Sequence, residues 1–171
     1  MTSYLIREVT LADTVALTDL LNDIISIGGM TAHLSHFDTE RLQRVYIMPK
    51  LVISCLIAEN KGRVVGFQSL EWSDPDWTGE DCIPEDWAFI SSFVAPDQHG
   101  KGIGKLLFQD TKKRALSASV NTIEATIRAD NEAGLRYYES LGFREYDIMI
   151  ARPLSDGELV DRIRKKMKLD P

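Results

Sequence analysis

The stretch with the clearest chemical content is Phe93 to Phe108, FVAPDQHGKGIGKLLF, in which Gly100, Gly102 and Gly104 alternate with Lys101, Ile103 and Lys105. Residues without a Cβ let successive backbone N–H groups come close to a ligand. Ile103, Leu107, Thr111, Ala115 and Ala118 then recur at helical spacing. The glycines therefore sit on the N-terminal end of a helix, where unpaired N–H groups and a partial positive charge suit an anion. The chemistry is that of a phosphate cradle; the alternative is a glycine-softened turn between a strand and a helix. Two common cradles are excluded. A P-loop aligned on Gly104 would have His99 at its first glycine and Leu106 at the metal-binding hydroxyl, and a dinucleotide loop would need a third glycine where the chain has Lys105 and Leu107.

What remains closely resembles the acyl-CoA loop of the GNAT superfamily of N-acyltransferases: Arg or Gln, two residues, Gly, one residue, then Gly or Ala. Gly102 and Gly104 take the glycine positions, while His99 stands where Arg or Gln is usual and Gln98 falls one place early. A second stretch, Asn131 to Phe143, NEAGLRYYESLGF, resembles the later signature of that family: an Asn, a short helix with a Tyr-Glu pair and a closing Leu-Gly-Phe. The resemblance covers about Tyr4 to Pro153 and is strongest from Trp87 to Phe143.

The resemblance implies an N-acetyltransferase that uses acetyl-CoA as cosubstrate, needs no metal, and lets the primary amine of a small molecule attack directly in a ternary complex. A protein N-terminus or lysine as acceptor, or a non-catalytic acyl-CoA-binding module, are the alternatives. It implies cofactor contacts from the backbones of Phe93 and Val94 to the pantetheine arm, and from His99, Gly100, Lys101, Gly102, Ile103, Gly104 and Lys105 to the pyrophosphate. Asn131 matches a CoA-contacting Asn, and a helix N-cap explains it equally well. Tyr138 matches the general acid that protonates the departing thiolate, with Tyr137 as competitor. A phenol of pKa about 10 can donate to a thiolate whose acid has a pKa of about 8.5 without a steep uphill step.

The proton acceptor for the amine is less sharply marked. Glu71, Glu85 and Asp86 flank strands that lead to the site, His33 and His36 titrate in the useful range, and a water chain could serve instead. From Glu71 to Asp86 there are seven acids, no Lys or Arg, and Trp72 and Trp77, with Trp87 next. This reads either as a rim for a cationic amine or as a solubilising loop. The basic run Arg162 to Lys168 could meet a CoA phosphate, or form the solvated face of a last helix.

The elements that must hold these groups follow from periodicity. Tyr4–Val9 reads as a strand, Thr10 with Asp13 as a capping box, and Val15 to Ile25 as an amphipathic helix ended by Gly28-Gly29. Residues 30–37 read as a loop, and Asp38 caps a second helix to about Ile47. Leu51–Glu59 and Arg63–Trp72 make a hairpin around Asn60-Lys61-Gly62, followed by a long loop and a strand at 87–94. A helix to about Ala118, a strand at 122–129, the Asn131 helix and a strand at 144–152 come next, and Ser155 with Glu158 predicts a C-terminal helix at about 155–168.

This order gives an α/β (α+β) architecture. The resemblance sharpens it to a mixed sheet of six or seven strands in which two parallel strands, at about 87–94 and 122–128, splay into a V that holds the pantetheine arm. At 171 residues and 44% hydrophobic content the chain suits one domain, 1–171. A net charge of −6 argues against nucleic acid and against anionic membranes. The longest apolar run, Leu51–Ala58, is too short to span a bilayer, and no basic-then-apolar leader opens the chain, so a cytoplasmic location is expected. Cys55 and Cys82 suggest neither a disulfide framework nor a zinc site. A homodimer is compatible with this reading.

Overall fold

The computed structural model describes residues 3–170. Its centre is a seven-stranded sheet in the order β1-β2-β3-β4-β5-β7-β6. The strands are β1 (Leu5–Glu8), β2 (Val52–Asn60), β3 (Arg63–Trp72), β4 (Trp87–Val94), β5 (Thr122–Arg128), β6 (Arg144–Pro153) and β7 (Leu159–Lys168). The helices are α1 (Thr14–Ile27), α2 (Thr39–Leu42, continued by a π turn to Ile47), α3 (Ile103–Ser117) and α4 (Glu132–Leu141). The mixed sheet with flanking helices is the architecture expected from the sequence.

The two faces of the sheet are covered by different helices. α1 and α2 bury Leu17, Leu21, Ile24, Leu42 and Tyr46 against Ile57, Phe67 and Phe93. On the other face Phe108 and Ala115 of α3 and Tyr138 of α4 pack with Ile90, Ile123, Ile127 and Phe143. Strand alternation assigns these sets, since Phe93 and its neighbour Ile90 differ by an odd number of positions and so face opposite ways.

The local signals of the first half hold. Thr10 and Asp13 form the capping box, with Thr10 N–H donating to Asp13 Oδ2 at 2.7 Å. Asp38 caps α2 by accepting from Arg41 N–H at 2.7 Å. Gly28, at φ +82°, ends α1. The residue 30–37 loop is anchored by Asn22, which accepts from Phe37 N–H at 2.7 Å and donates to Phe37 C=O at 2.9 Å.

The expected C-terminal helix at 155–168 is not there. Residues 154–158 close a hairpin, with Leu154 N–H donating to Glu158 C=O at 2.8 Å and Gly157 at φ +89°. β7 then runs antiparallel between β5 (Thr122↔Lys168 to Arg128↔Arg162) and β6 (Arg144↔Lys166 to Pro153↔Leu159). The basic run is therefore an interior strand, next to the edge, rather than a solvated helix face. Adjacent residues Arg164 and Lys165 point to opposite faces, and both are buried. Arg164 pairs with Glu124 and Asp147 at 2.9 Å each, and Lys165 pairs with Glu139 at 2.8 Å. Buried charge is tolerated because each has an opposite partner.

β4 and β5 are parallel and pair only at Trp87↔Thr122, Ala88↔Ile123 and Phe89↔Glu124. Beyond Phe89 they part, and β4 keeps its ladder to β3 as far as Gly66↔Val94.

At the opposite end of the sheet, the bidentate pairing of Arg7 with Asp13, at 2.9 and 2.8 Å, holds the Asp13 carboxyl down at about 2, from 3.8. A depressed carboxyl stabilises the fold above its unfolded value and stops doing so as pH falls through the folded one. Asp13→Asn is expected to cost about 1–2 kcal/mol, the scale of a lost cap. In urea titrations it should also remove part of the wild-type loss of stability between pH 4 and 2; an unchanged acid dependence would show that the pair contributes nothing.

Candidate active site

The parting of β4 and β5 opens a cleft of about 420 Å³. Ser92, Phe93 and Val94 of β4, Gln98 to Lys105 apart from Lys101, residues of α4 including Tyr137, and Ile24 and Met30 from the opposite face line it.

The β4 backbone on this cleft is unequal from residue to residue. Ala95 N–H donates to Val65 C=O at 2.9 Å at one end of the β3–β4 ladder, and Ser73 N–H donates to Trp87 C=O at 3.0 Å at the other. Bonded pairs alternate along an antiparallel ladder. Phe89, Ser91 and Phe93 therefore direct their N–H and C=O groups to β3, while Ile90, Ser92 and Val94 direct theirs to the side that β5 has left. The expectation of paired backbone contacts from Phe93 and Val94 is corrected accordingly: Phe93 contributes side chain to the wall, and the outward-facing backbone belongs to Ser92 and Val94.

The glycine loop follows a 3₁₀ turn at Pro96–Gln98. Gly100 and Gly102 have φ +76° and +78°, left-handed values that disfavour any residue with a Cβ. Gly102 is the N-cap of α3, so the N–H groups of the first turn have no acceptor inside the helix and face the cleft's end. Gly104 serves a different purpose. A Cβ there would lie 2.6 Å from Cε2 of Tyr137, so the missing side chain makes room for that ring.

His99 and Lys101 do not present free cations to the cleft. His99 Nε2 donates to Val94 C=O at 2.9 Å, and Lys101 Nζ turns back to Asp97 C=O and Gln98 Oε1 at 3.1 Å each. Lys105 does line it. Asn131 caps α4 by accepting from Gly134 N–H at 2.9 Å, and its amide donates to Met30 C=O at 3.1 Å, strapping the loop after α1 to the cleft rim.

Adjacent tyrosines take different places. Tyr137 borders the cleft, and its hydroxyl donates to Gly104 C=O at 2.9 Å while accepting from Gln68 Nε2 at 3.0 Å. Tyr138 lies one layer behind, buried, with its hydroxyl 2.9 Å from Ser92 Oγ, which also accepts from Gln68 Nε2 at 2.8 Å. Burial raises both phenols, so both stay protonated through neutral pH. Sequence reasoning missed Ser92 and Gln68, although Ser92 is two positions from Val94 on a strand and so shares its face.

The candidate bases separate. Glu71 lies opposite Phe89 and is half-buried on the α1/α2 face; desolvation raises its carboxyl. Glu85 and Asp86 are exposed in the loop before β4, at the closed end of the V. Seven strand steps of about 3.3 Å, roughly 23 Å, separate that end from Val94. Glu85, expected as a base because it flanks a strand that leads to the site, lies at the far end of that strand and does not line the cleft. His33 Nε2 lies 2.7 Å from the Tyr46 hydroxyl, and burial and then the Arg41 charge lower its pKa. His36 bonds Ser26 at 2.8 Å. The acidic loop is partly neutralised from outside by Arg152, which pairs with Glu80, while within the loop Asp81 accepts from Trp77 Nε1 at 2.7 Å. No group of three or more metal-ligating side chains occurs among the described residues.

The Acetyltransferase (GNAT) family model matches residues 21–143, the span that contains β4, the glycine loop, β5 and α4. The chain belongs to the GNAT family. Among curated relatives it is 26% identical to the L-methionine sulfoximine/L-methionine sulfone acetyltransferase of Salmonella typhimurium over 170 residues, covering 96% of this chain and 94% of that protein. It is 32% identical over 93 residues to the mycothiol acetyltransferase of Tsukamurella paurometabola, where the match covers 54% of this chain and only 30% of that longer protein. The solved structure of yncA from Salmonella typhimurium with its cofactor acetyl-CoA superposes with a TM-score of 0.79 at 25% identity, over 98% of this chain and 94% of that one. GNAT membership thus rests on matched residues that include the glycine loop and α4.

The contact between Gly104 and Tyr137 predicts a coupling. Gly104→Ala should lower stability by about 1–3 kcal/mol, the range for overpacking. In a Tyr137→Leu background the same change should cost much less, measured by a double-mutant cycle in urea; additive effects would mean that the two residues do not compete for space.

Proposed function

We propose that this GNAT protein is an acetyl-CoA-dependent N-acetyltransferase whose acceptor is the primary amine of a small molecule. The observation that carries the reading is the β4 edge at Ser92 and Val94 that β5 has left, ending at a glycine loop on the N-terminus of α3. The matches to an L-methionine sulfoximine/sulfone acetyltransferase and to an acetyl-CoA complex support it.

The residues fit that cosubstrate. Val94 C=O and the outward N–H groups suit amides of an extended arm, with His99 the present partner of that carbonyl. The first turn of α3 and Lys105 suit the pyrophosphate. When bound, acetyl-CoA supplies the activated acyl group. An N–H of the β4 edge polarises the thioester carbonyl, a contribution of about 3 kcal/mol for such donors in other enzymes. Tyr138, kept protonated by burial and hydrogen-bonded to Ser92 on the cleft wall, supplies the proton for the leaving thiolate. Tyr137 is less suited because its proton is already given to Gly104 C=O. Glu71, raised by desolvation and without an ion-pair partner among the described residues, takes the ammonium proton directly or through water.

Incubation with acetyl-CoA and a panel of small amines, read by thiol release, tests the whole reading. Release with at least one amine and a rise in melting temperature with acetyl-CoA are expected; neither effect at saturating concentration would overturn it.

Tyr138→Phe should retain acetyl-CoA binding and lower kcat by about 10²-fold or more. Should Tyr137→Phe be the damaging change instead, the donor assignment moves one residue. Glu71→Gln should lower kcat and flatten the acidic limb of the pH–rate profile, because the wild-type carboxyl must lose its proton before it can act.

A further inference from the structure

The face of β5–β7 that carries Arg128 also carries a row of cations, because Arg162, Arg164 and Lys166 alternate along β7 on one side of the sheet. All but one of them are balanced. Arg164 is held by Glu124 and Asp147. Lys166 Nζ sits 5.1 Å and 4.8 Å from the ring centroids of Trp87 and Tyr146. Arg128 is bound by Asp130 at 2.6 and 2.9 Å. Arg162 makes no side-chain hydrogen bond or ion pair among the described residues, and its Nε is buried without an acceptor.

This deficit is unusual in its setting. Arg162 lies directly opposite Arg128 across the β5–β7 ladder, an arrangement in which like charges repel. Asp130 is bonded to Arg128, and no carboxylate is bonded to Arg162 among the described residues. The chain as a whole carries a net −6, so acids were not scarce. A buried donor left without a partner costs stability, and in a native protein such a group is commonly met by a water, an ion or a ligand.

The position says which acceptor. Arg128 Nη1 donates to Thr31 C=O at 3.2 Å, beside Met30, which is strapped by Asn131 on the cleft rim. On the other side Arg164 Nη2 donates to Asp81 C=O at 3.1 Å. The loop after α1 and the acidic loop thus touch the row on either side of Arg162. The pyrophosphate cradle belongs to α3, which packs on the opposite face. An anion at Arg162 therefore lies on the sheet face opposite the cradle, the face of Glu71 and His33.

We propose that Arg162 binds the carboxylate of an amino-acid acceptor. This rests on the transferase reading above and adds the anionic group that its acceptor must carry. Two guanidiniums side by side, one of them fixed by Asp130, suit a planar carboxylate that accepts from both.

The test compares kcat/KM for a panel of L-α-amino acids, L-methionine sulfone among them, each beside the amine that lacks its carboxylate. Wild type should prefer the amino acid of at least one pair. Arg162→Gln should reduce that preference by about 10- to 100-fold, the scale of a hydrogen bond to a charged group. The change should fall in the KM of the amino acid, with the KM of acetyl-CoA and the melting temperature near wild type. Arg162→Lys, which keeps the charge but not the fork, should recover part of it. An unchanged preference in Arg162→Gln, a wild type without preference, or a rise confined to the KM of acetyl-CoA overturns this inference while leaving the transferase intact. Absence of thiol release with every acceptor overturns the transferase reading and this inference with it.

Discussion

The structure depends on one interrupted ladder. β4 and β5 pair over three residues and then separate, which leaves backbone donors and acceptors on two strands that would be costly to bury unpaired. Each strand is held from its far side instead. β3 binds β4 along its length, and β7 binds β5 from Thr122 to Arg128. The V stays open because both of its arms are clamped from outside, so its inner edges remain available to a ligand.

The same arrangement distributes chemistry by face. Strand alternation sends Ser92 to the side of α3 and α4, where it meets Gln68 and the two tyrosines, and sends Ser91 and Phe93 to the side of α1 and α2. Glu71, His33 and Arg128 lie on that second side. The proposed proton donor and the proposed acceptor-binding groups thereby lie on opposite sides of the sheet, with the acyl group proposed to lie in the gap between them.

Buried charge is the other theme. Arg164, Lys165 and Glu124 lie in or beside the sheet core, each with a partner far away in sequence. Glu124 is completely buried, and desolvation raises its carboxyl while Arg164 pulls it down. Such pairs add little net stability over apolar residues, but removing one partner is severe. They tie β7 to β5, β6 and α4.

How much of this was legible differs by element. Local signals were sufficient where the determinant is local: the capping box at Thr10, the Asp38 and Asn131 caps, the glycine loop and the β2–β3 hairpin all rest on residues within a few positions of each other. The same holds for the fold class, because the succession of strand and helix patterns restricts the layers that can form. β7 was misread since RIRKKMK hides its period of two: both faces carry charge, and only partners 17 to 40 residues away distinguish a buried strand from a solvated helix. The family signature marks Tyr138 over Tyr137, but only the packing of Tyr137 against Gly104 decides which ring meets the cleft. Glu85 looked adjacent to the site because it precedes the right strand, yet a strand carries its two ends apart by its own length. Sequence by itself determined the kinds of element and the loop that suits a phosphate; the tertiary structure alone decided which side chains share the cleft, because that depends on sheet register and face, which no short window of residues contains.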